Sequence, residues 1–235
     1  MWKKFAYNAV IPALFVLVGT LAGLFVAERA EALSTEHKLR IEAERKLHEG
    51  LLHRNQISQY DQIFKEISEQ YDIDWMLLAA IARSESEFRF DAISYVGAIG
   101  LMQIMPHVAR SMGYTREELF DPRTNVEIAA KLFHENESML HLPEELDDTE
   151  RLRFILGCYN AGYPRIADAR RLAQYFDADA NIWSIVSLFL GWLSDPEFSE
   201  LKVVQSGTFC GSRETISYVE KVIHIYNLYR SNILM

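Results

Sequence analysis

The chain has 235 residues, 49% of them hydrophobic, and a formal net charge of -9. That length permits one or two globular domains, and the acidic balance excludes a general nucleic-acid binder, which needs a clustered excess of Lys and Arg against phosphate. Two cysteines, Cys158 and Cys210, are too few for a disulfide scaffold and fit no zinc spacing; they either pair in an oxidising compartment or remain buried thiols.

Lys3 and Lys4 precede a run, Phe5 to Ala27, without a charged residue, and Val10 to Val26 is almost wholly apolar. A helix needs about 20 such residues to cross a bilayer. Glu28, Arg29 and Glu31 follow the run, so the positive-inside rule places Met1 in the cytoplasm and the bulk of the chain outside. Residues 1–28 are therefore expected to form a transmembrane anchor. Ala30-Glu31-Ala32 resembles a signal-peptidase site, but the apolar run is long for a signal peptide, which favours a retained anchor. Residues 29–56 include STEHKLRIEAERKLHEG, rich in charge and helix formers with sparse apolar positions. Such a segment cannot build a core and reads as a solvated helical stalk.

Residues 57–235 carry the globular pattern. Tyr60, Ile63, Phe64, Ile67 and Tyr71 recur at helical spacing, so a core-facing helix is expected from Ile57. Asp72-Ile73-Asp74 breaks it, with Asp74 placed to cap the next helix, Trp75 to about Glu87. Phe88 to Leu101, with Gly97 and Gly100, reads as a loop. Further helical patterns start at Asn125, at Thr149 and at Ile216. Strand-like alternation is scarce, and the fold class is all-α.

Glu85 stands out on physical grounds. Ile81 lies four residues before it and Leu78 seven, so all three share one helical face. A carboxyl ending an apolar stripe is partly desolvated, and desolvation raises its pKa. A carboxylic acid still protonated near neutral pH can protonate a glycosidic oxygen. Glu87 falls about 200° round the helix and faces away. Taken one at a time, a helical Glu is a surface group, and Met102, Tyr159 and Tyr218 are core residues.

The order of short motifs changes that balance. Ala82-Arg83-Ser84-Glu85-Ser86, then GAIGLMQIMP from Gly97 to Pro106, then Tyr159-Asn160-Ala161-Gly162, then Glu214-Thr215-Ile216-Ser217-Tyr218-Val219 resemble the catalytic domain of the soluble lytic transglycosylases. Asp168-Ala169-Arg170-Arg171-Leu172-Ala173 through Phe209-Cys210-Gly211 looks more like the membrane-bound lytic transglycosylase F subgroup. The resemblance covers most of the chain after Ile57 and implies a lysozyme-like helical domain. That subgroup also has a solute-binding-like domain before the catalytic one; the residues before Ile57 leave no room for it, so its regulatory function is not carried over.

The resemblance implies that the substrate is the glycan strand of bacterial peptidoglycan, cut between N-acetylmuramic acid and N-acetylglucosamine. Glu85 matches the catalytic glutamate. Ser86 matches a serine that holds the carboxyl or a sugar substituent. Gly100, Met102, Gln103, Tyr159 and Asn160 match the walls of the glycan groove. Tyr218 matches a tyrosine whose hydroxyl lies near the glutamate. One carboxyl acts as acid and then as base on the muramoyl 6-hydroxyl, giving a 1,6-anhydro end without water. The implied setting is a bacterial inner-membrane anchor with the catalytic domain in the periplasm. The histidines, His107, His134 and His141 among them, show no ligand spacing, so neither a metal nor a cofactor is expected. The rival readings are a hydrolytic muramidase, with Asp91 as second carboxylate, and a catalytically weak peptidoglycan-binding scaffold.

Overall fold

In the computed structural model the described residues are Lys38 and 56–233. The expected anchor and all of the expected stalk except Lys38 and Gln56 lie outside them. Among the described residues no helix is long and apolar enough to cross a membrane, and β structure is limited to isolated bridges.

Helix α1 (Asp61–Tyr71) begins later than the periodicity suggested. The Asp61 carboxylate accepts the N–H groups of Ile57 and Ser58, both at 2.7 Å, and turns these residues into a tight lead-in. Asp72 then closes α1 in the left-handed region, with φ 50°. Helix α2 (Trp75–Ser86) is capped as its sequence indicated, with Asp74 Oδ1 accepting the Met76 N–H at 2.9 Å. Leu77 through Ala82 are all buried, so α2 is apolar around most of its circumference and runs through the interior between α1 and the last helix. Leu78 and Ile81 are each 1% exposed, and each burial stabilises the fold by about 2 kcal/mol.

After α2 the chain makes a turn-rich loop with bridges pairing Ile93 to Ile99 and Ile99 to Ile104. Helix α3 (Pro106–Ser111) and a 3-10 turn (Glu117–Phe120) lead to α4 (Pro122–Leu140). The Asp121 carboxylate caps α4 by accepting the Thr124 N–H at 2.8 Å, so α4 starts before Asn125. Helix α5 (Asp148–Ala161) is capped by Asp147. Then come α6 (Tyr163–Tyr175), α7 (Trp183–Trp192), the single turn α8 (Pro196–Ser199) and the long α9 (Ser212–Ile233). Helix α5 packs on α4, α6 and α9, and α9 packs along α2. That last contact sets the site, because it lays the first half of α9 beside the C-terminal end of α2.

Candidate active site

Glu85 is the penultimate residue of α2 and is half-buried. Burial is the largest influence on its carboxyl and raises the pKa from 4.5 to about 7. Three charged or polar groups of α9 modify that value. The Tyr218 hydroxyl and the Lys221 ammonium favour the carboxylate, and the Glu214 carboxylate opposes it. Glu214, Tyr218 and Lys221 stand at i, i+4 and i+7, so one stripe of α9 faces Glu85. The Tyr218 residue is 9% exposed, and among the described residues its buried hydroxyl completes no hydrogen bond of regular geometry. The hydroxyl acts on the carboxyl as a nearby dipole rather than through a completed hydrogen bond. Lys221 is exposed and donates from Nζ to the Ser84 carbonyl at 3.1 Å, close to the end of α2.

Tyr159, on the last turn of α5, is within electrostatic reach of Glu85, and its hydroxyl donates to the Met102 carbonyl at 2.8 Å. The Met102 N–H in turn donates to Asn125 Oδ1 at 2.8 Å. Asn125 is fully buried, and its Nδ2 donates to the Ile99 and Leu119 carbonyls at 3.0 and 2.9 Å. The loop from Gly97 to Met105 is thus held from two sides, by α4 through Asn125 and by α5 through Tyr159.

Glu85, Tyr159 and Tyr218 lie within electrostatic reach of one another. Four other residues have different neighbours from those expected. Ser86 is buried, and its hydroxyl donates to the Leu101 and Ala82 carbonyls at 2.8 and 3.2 Å, so it ties the loop to α2. Gly100 has φ 83°, and a Cβ there would stand 2.4 Å from Asn125 Nδ2 and 2.5 Å from the Leu119 carbonyl oxygen. Its close approach is to protein, not to an open groove. The Met102 side chain is wholly buried at 0% exposure and lines the core. Gln103, with φ 49°, turns its amide nitrogen to the Gly100 and Ala92 carbonyls at 3.0 and 3.3 Å. That leaves Oε1 as the acceptor end of a partly buried side chain. Asn160 is exposed beside Tyr159, and its side chain forms no hydrogen bond among the described residues.

Asp91 is exposed and acts electrostatically on Tyr60, not on Glu85. The carboxylate that acts on Glu85 is Glu214, a residue whose type and position in the sequence mark no role. Glu87 closes α2 in the left-handed region and is exposed. The two cysteines are unbonded, and their settings differ. Cys158 is buried in α5, which pushes its thiol up to about 12, whereas Cys210 is exposed. Among the described residues no group of His, Cys, Asp and Glu is arranged to hold a metal ion.

A further buried carboxylate shapes the region after α8. Asp168 of α6 is 0% exposed. Burial alone would raise its pKa, but hydrogen bonds from Ser206, Gln205 and Arg171 outweigh it and hold the carboxyl below its usual range. The Gln205 and Ser206 N–H groups each approach it at 2.8 Å. The Asp168–Arg171 pair therefore anchors the chain that leads to Phe209 and the start of α9.

An all-helical domain that holds one raised carboxyl between a glycine-containing loop and a tyrosine-bearing helix defines a class, and the comparisons with known proteins agree with it. Residues 62–182 match the Transglycosylase SLT domain family, about half of the chain, and the chain belongs to that family. It is 30% identical over 176 residues to the membrane-bound lytic murein transglycosylase F of Marinobacter nauticus, covering 74% of this chain and 33% of that protein. It is 34% identical over 146 residues to the protein of the same name from Cellvibrio japonicus, covering 62% of this chain and 28% of that one. The chain thus spans about a third of the length of these relatives. The lytic transglycosylase Slt of Pseudomonas aeruginosa, solved as an inactive mutant, superposes with a TM-score of 0.51 at 22% identity, over 73% of this chain and 24% of that chain. That likeness shows the fold.

Proposed function

We propose that the chain is a lytic transglycosylase that cleaves peptidoglycan between N-acetylmuramic acid and N-acetylglucosamine and leaves 1,6-anhydro ends. The observation that carries this reading is the Glu85 carboxyl, raised to about 7 by burial at the end of an apolar helical stripe. At neutral pH a large fraction of such a group is protonated and can donate to the glycosidic oxygen as the bond to the anomeric carbon breaks. The resulting carboxylate then takes the proton of the muramoyl 6-hydroxyl, whose oxygen bonds to that carbon. The carboxyl ends the cycle protonated, as it began, and no water is consumed. Tyr218 and Lys221 favour the carboxylate and so ease its formation. The Gln103 amide oxygen, Tyr159 and Asn160 are assigned to glycan contacts. Ser86, Gly100 and Met102 contribute by holding the loop in place.

The membrane setting belongs to the same reading. Residues 1–28 are assigned to an inner-membrane anchor, 29–56 to a stalk and 57–235 to a periplasmic catalytic domain, on the charge pattern around the apolar run. The names of the relatives, membrane-bound murein transglycosylases, support this placement.

A second reading has one observation in its favour. Glu214 is a carboxylate close enough to act on Glu85, so a two-carboxylate hydrolase would use Glu214, in place of Asp91. Glu85→Gln tests both readings at once. The variant should fold, bind sacculi and release soluble fragments at a rate lower by about 10²-fold or more. Full activity in Glu85→Gln would end both.

A further inference from the structure

Helix α7 leaves part of its apolar surface to solvent. Leu188 is 64% exposed and Trp192 40%, and the two stand four residues apart on one helical face. Tyr175 and Phe176, where α6 ends, are exposed beside them. Ring contacts join the group. The Phe176 centroid lies 5.6 Å from that of Trp192 and 5.1 Å from that of Tyr175, and Trp192 lies 4.6 Å from Phe198 of α8. The buried Phe189 stacks on Phe176 at 6.0 Å and meets Trp192 at 4.7 Å, so the core backs the exposed rings and fixes their arrangement. Contiguous apolar surface of this kind on a globular domain marks an interaction site, and rings already held in place lose little freedom when covered.

The charge around the patch selects its occupant. From Leu172 to Leu201 the sequence has no Lys, Arg or His and five carboxylates, Asp177, Asp179, Asp195, Glu197 and Glu200. All five are exposed, each lies within three residues of a patch ring, and none enters an ion pair among the described residues. A second copy of the chain seated on the same face would set two acidic rims against each other. Anionic lipid headgroups would meet the same repulsion. Binding through this face therefore calls for apolar side chains flanked by cations, and exposed Tyr and Trp rings also accept Lys and Arg over their faces.

We propose that the face formed by Tyr175, Phe176, Leu188 and Trp192 docks a partner protein through an amphipathic segment whose apolar residues are flanked by Lys and Arg. The inference stands apart from the transglycosylase reading, because the face contains none of the residues assigned to catalysis or to glycan contacts. It gives the domain a second recognition surface, through which another protein positions it.

The test puts a photo-crosslinking amino acid, p-benzoylphenylalanine, in place of Leu188 in the full chain, irradiates the native cells and sequences the captured peptide by mass spectrometry. The expected adduct is a segment of another protein in which Lys or Arg flanks apolar residues at helical spacing. Synthesised as a labelled peptide, that segment should bind the purified full chain, and Leu188→Lys should weaken its Kd about tenfold or more. Asp177→Asn, Glu197→Gln and Glu200→Gln combined should weaken it about fivefold or more, and added salt should weaken binding to the wild type. All four positions are exposed, and none of these side chains caps a helix, so the variants keep the fold. Adducts only with lipid, with a second copy of the chain or with a segment lacking basic residues would overturn the proposal. So would the absence of any adduct, or a captured peptide whose Kd is unchanged by Leu188→Lys or by the triple carboxylate variant.

Discussion

The side-chain oxygen of Asn125 accepts the backbone N–H of Met102 at 2.8 Å. Through this bond the first turn of α4 sets the position of the loop beside Glu85. Asn125 makes three hydrogen bonds while fully buried, and Gly100 leaves just the space its amide needs. Replacing it with Ala would strand the Met102 N–H and the Leu119 carbonyl in the interior and leave the Ile99 carbonyl with the Ile104 N–H as its remaining donor. Asn125→Ala should lower unfolding stability by about 3 kcal/mol, on the scale of buried polar groups left unpaired. Chemical denaturation checks this. A loss under about 0.5 kcal/mol, the range of ordinary surface substitutions, would show that the loop is held by other means.

The pH dependence follows from the groups around Glu85. The acid must be protonated to act, so kcat/KM should fall as pH rises through about 7. Burial sets most of that value, and the two charges of α9 adjust it in opposite directions. Lys221→Met removes a cation that favours the carboxylate, so the descending limb should move to higher pH. Glu214→Gln removes an opposing anion, so it should move to lower pH. Profiles of the three proteins at constant ionic strength test this. Shifts of the same sign in both variants would contradict the arrangement.

The raised pKa also carries a stability cost with a definite window. Below pH 4.5 Glu85 is protonated in folded and unfolded chains, and no cost arises. As pH rises from 4.5 to about 7 the unfolded chain ionises first, and the folded state loses stability relative to it. Glu85→Gln removes the titration. It should match the wild type near pH 4 and exceed it at pH 8, by at most about 3 kcal/mol. Thermal melts at the two pH values decide it, and a variant less stable than wild type at pH 8 would be the contrary result.

Tyr218→Phe separates orientation from packing. The hydroxyl is buried without a completed hydrogen bond, so its loss should leave stability unchanged or raise it by up to about 1 kcal/mol. Activity should nonetheless fall by about an order of magnitude, the value of one charge-assisted hydrogen bond to the carboxylate formed in the reaction. Parallel loss of stability and activity would make Tyr218 a packing residue.

Much of this was legible before the structure. The apolar stripe through Leu78 and Ile81 marked Glu85, because helical periodicity is local. Asp74 marked the start of α2 for the same reason. Helices α6 to α8 were not drawn from the sequence. Trp183–Trp192 is apolar on nearly every side, so it shows no periodic contrast. The stripe of α9 facing Glu85 was also hidden in part. Tyr218 came from the motif resemblance, but Glu214 and Lys221 act on Glu85 only because α9 crosses α2, a contact between positions more than a hundred residues apart. Gly100 and Met102 were assigned to a groove on motif grounds. Their protein neighbours, Asn125 and Tyr159, are tertiary, and neither turn chemistry nor spacing points to them.

The most direct test of the account is the chemistry of the new glycan ends. Purified sacculi are digested with the full chain, and the soluble products are resolved by mass spectrometry. With Glu85 as sole acid and base, internal attack by the 6-hydroxyl yields 1,6-anhydromuramoyl ends, lighter by one water than the hydrolysis product, and these ends vanish with Glu85→Gln. Reducing muramoyl ends from the wild type would mean that water attacked, and the catalytic pair would then be Glu85 and Glu214 acting as a hydrolase.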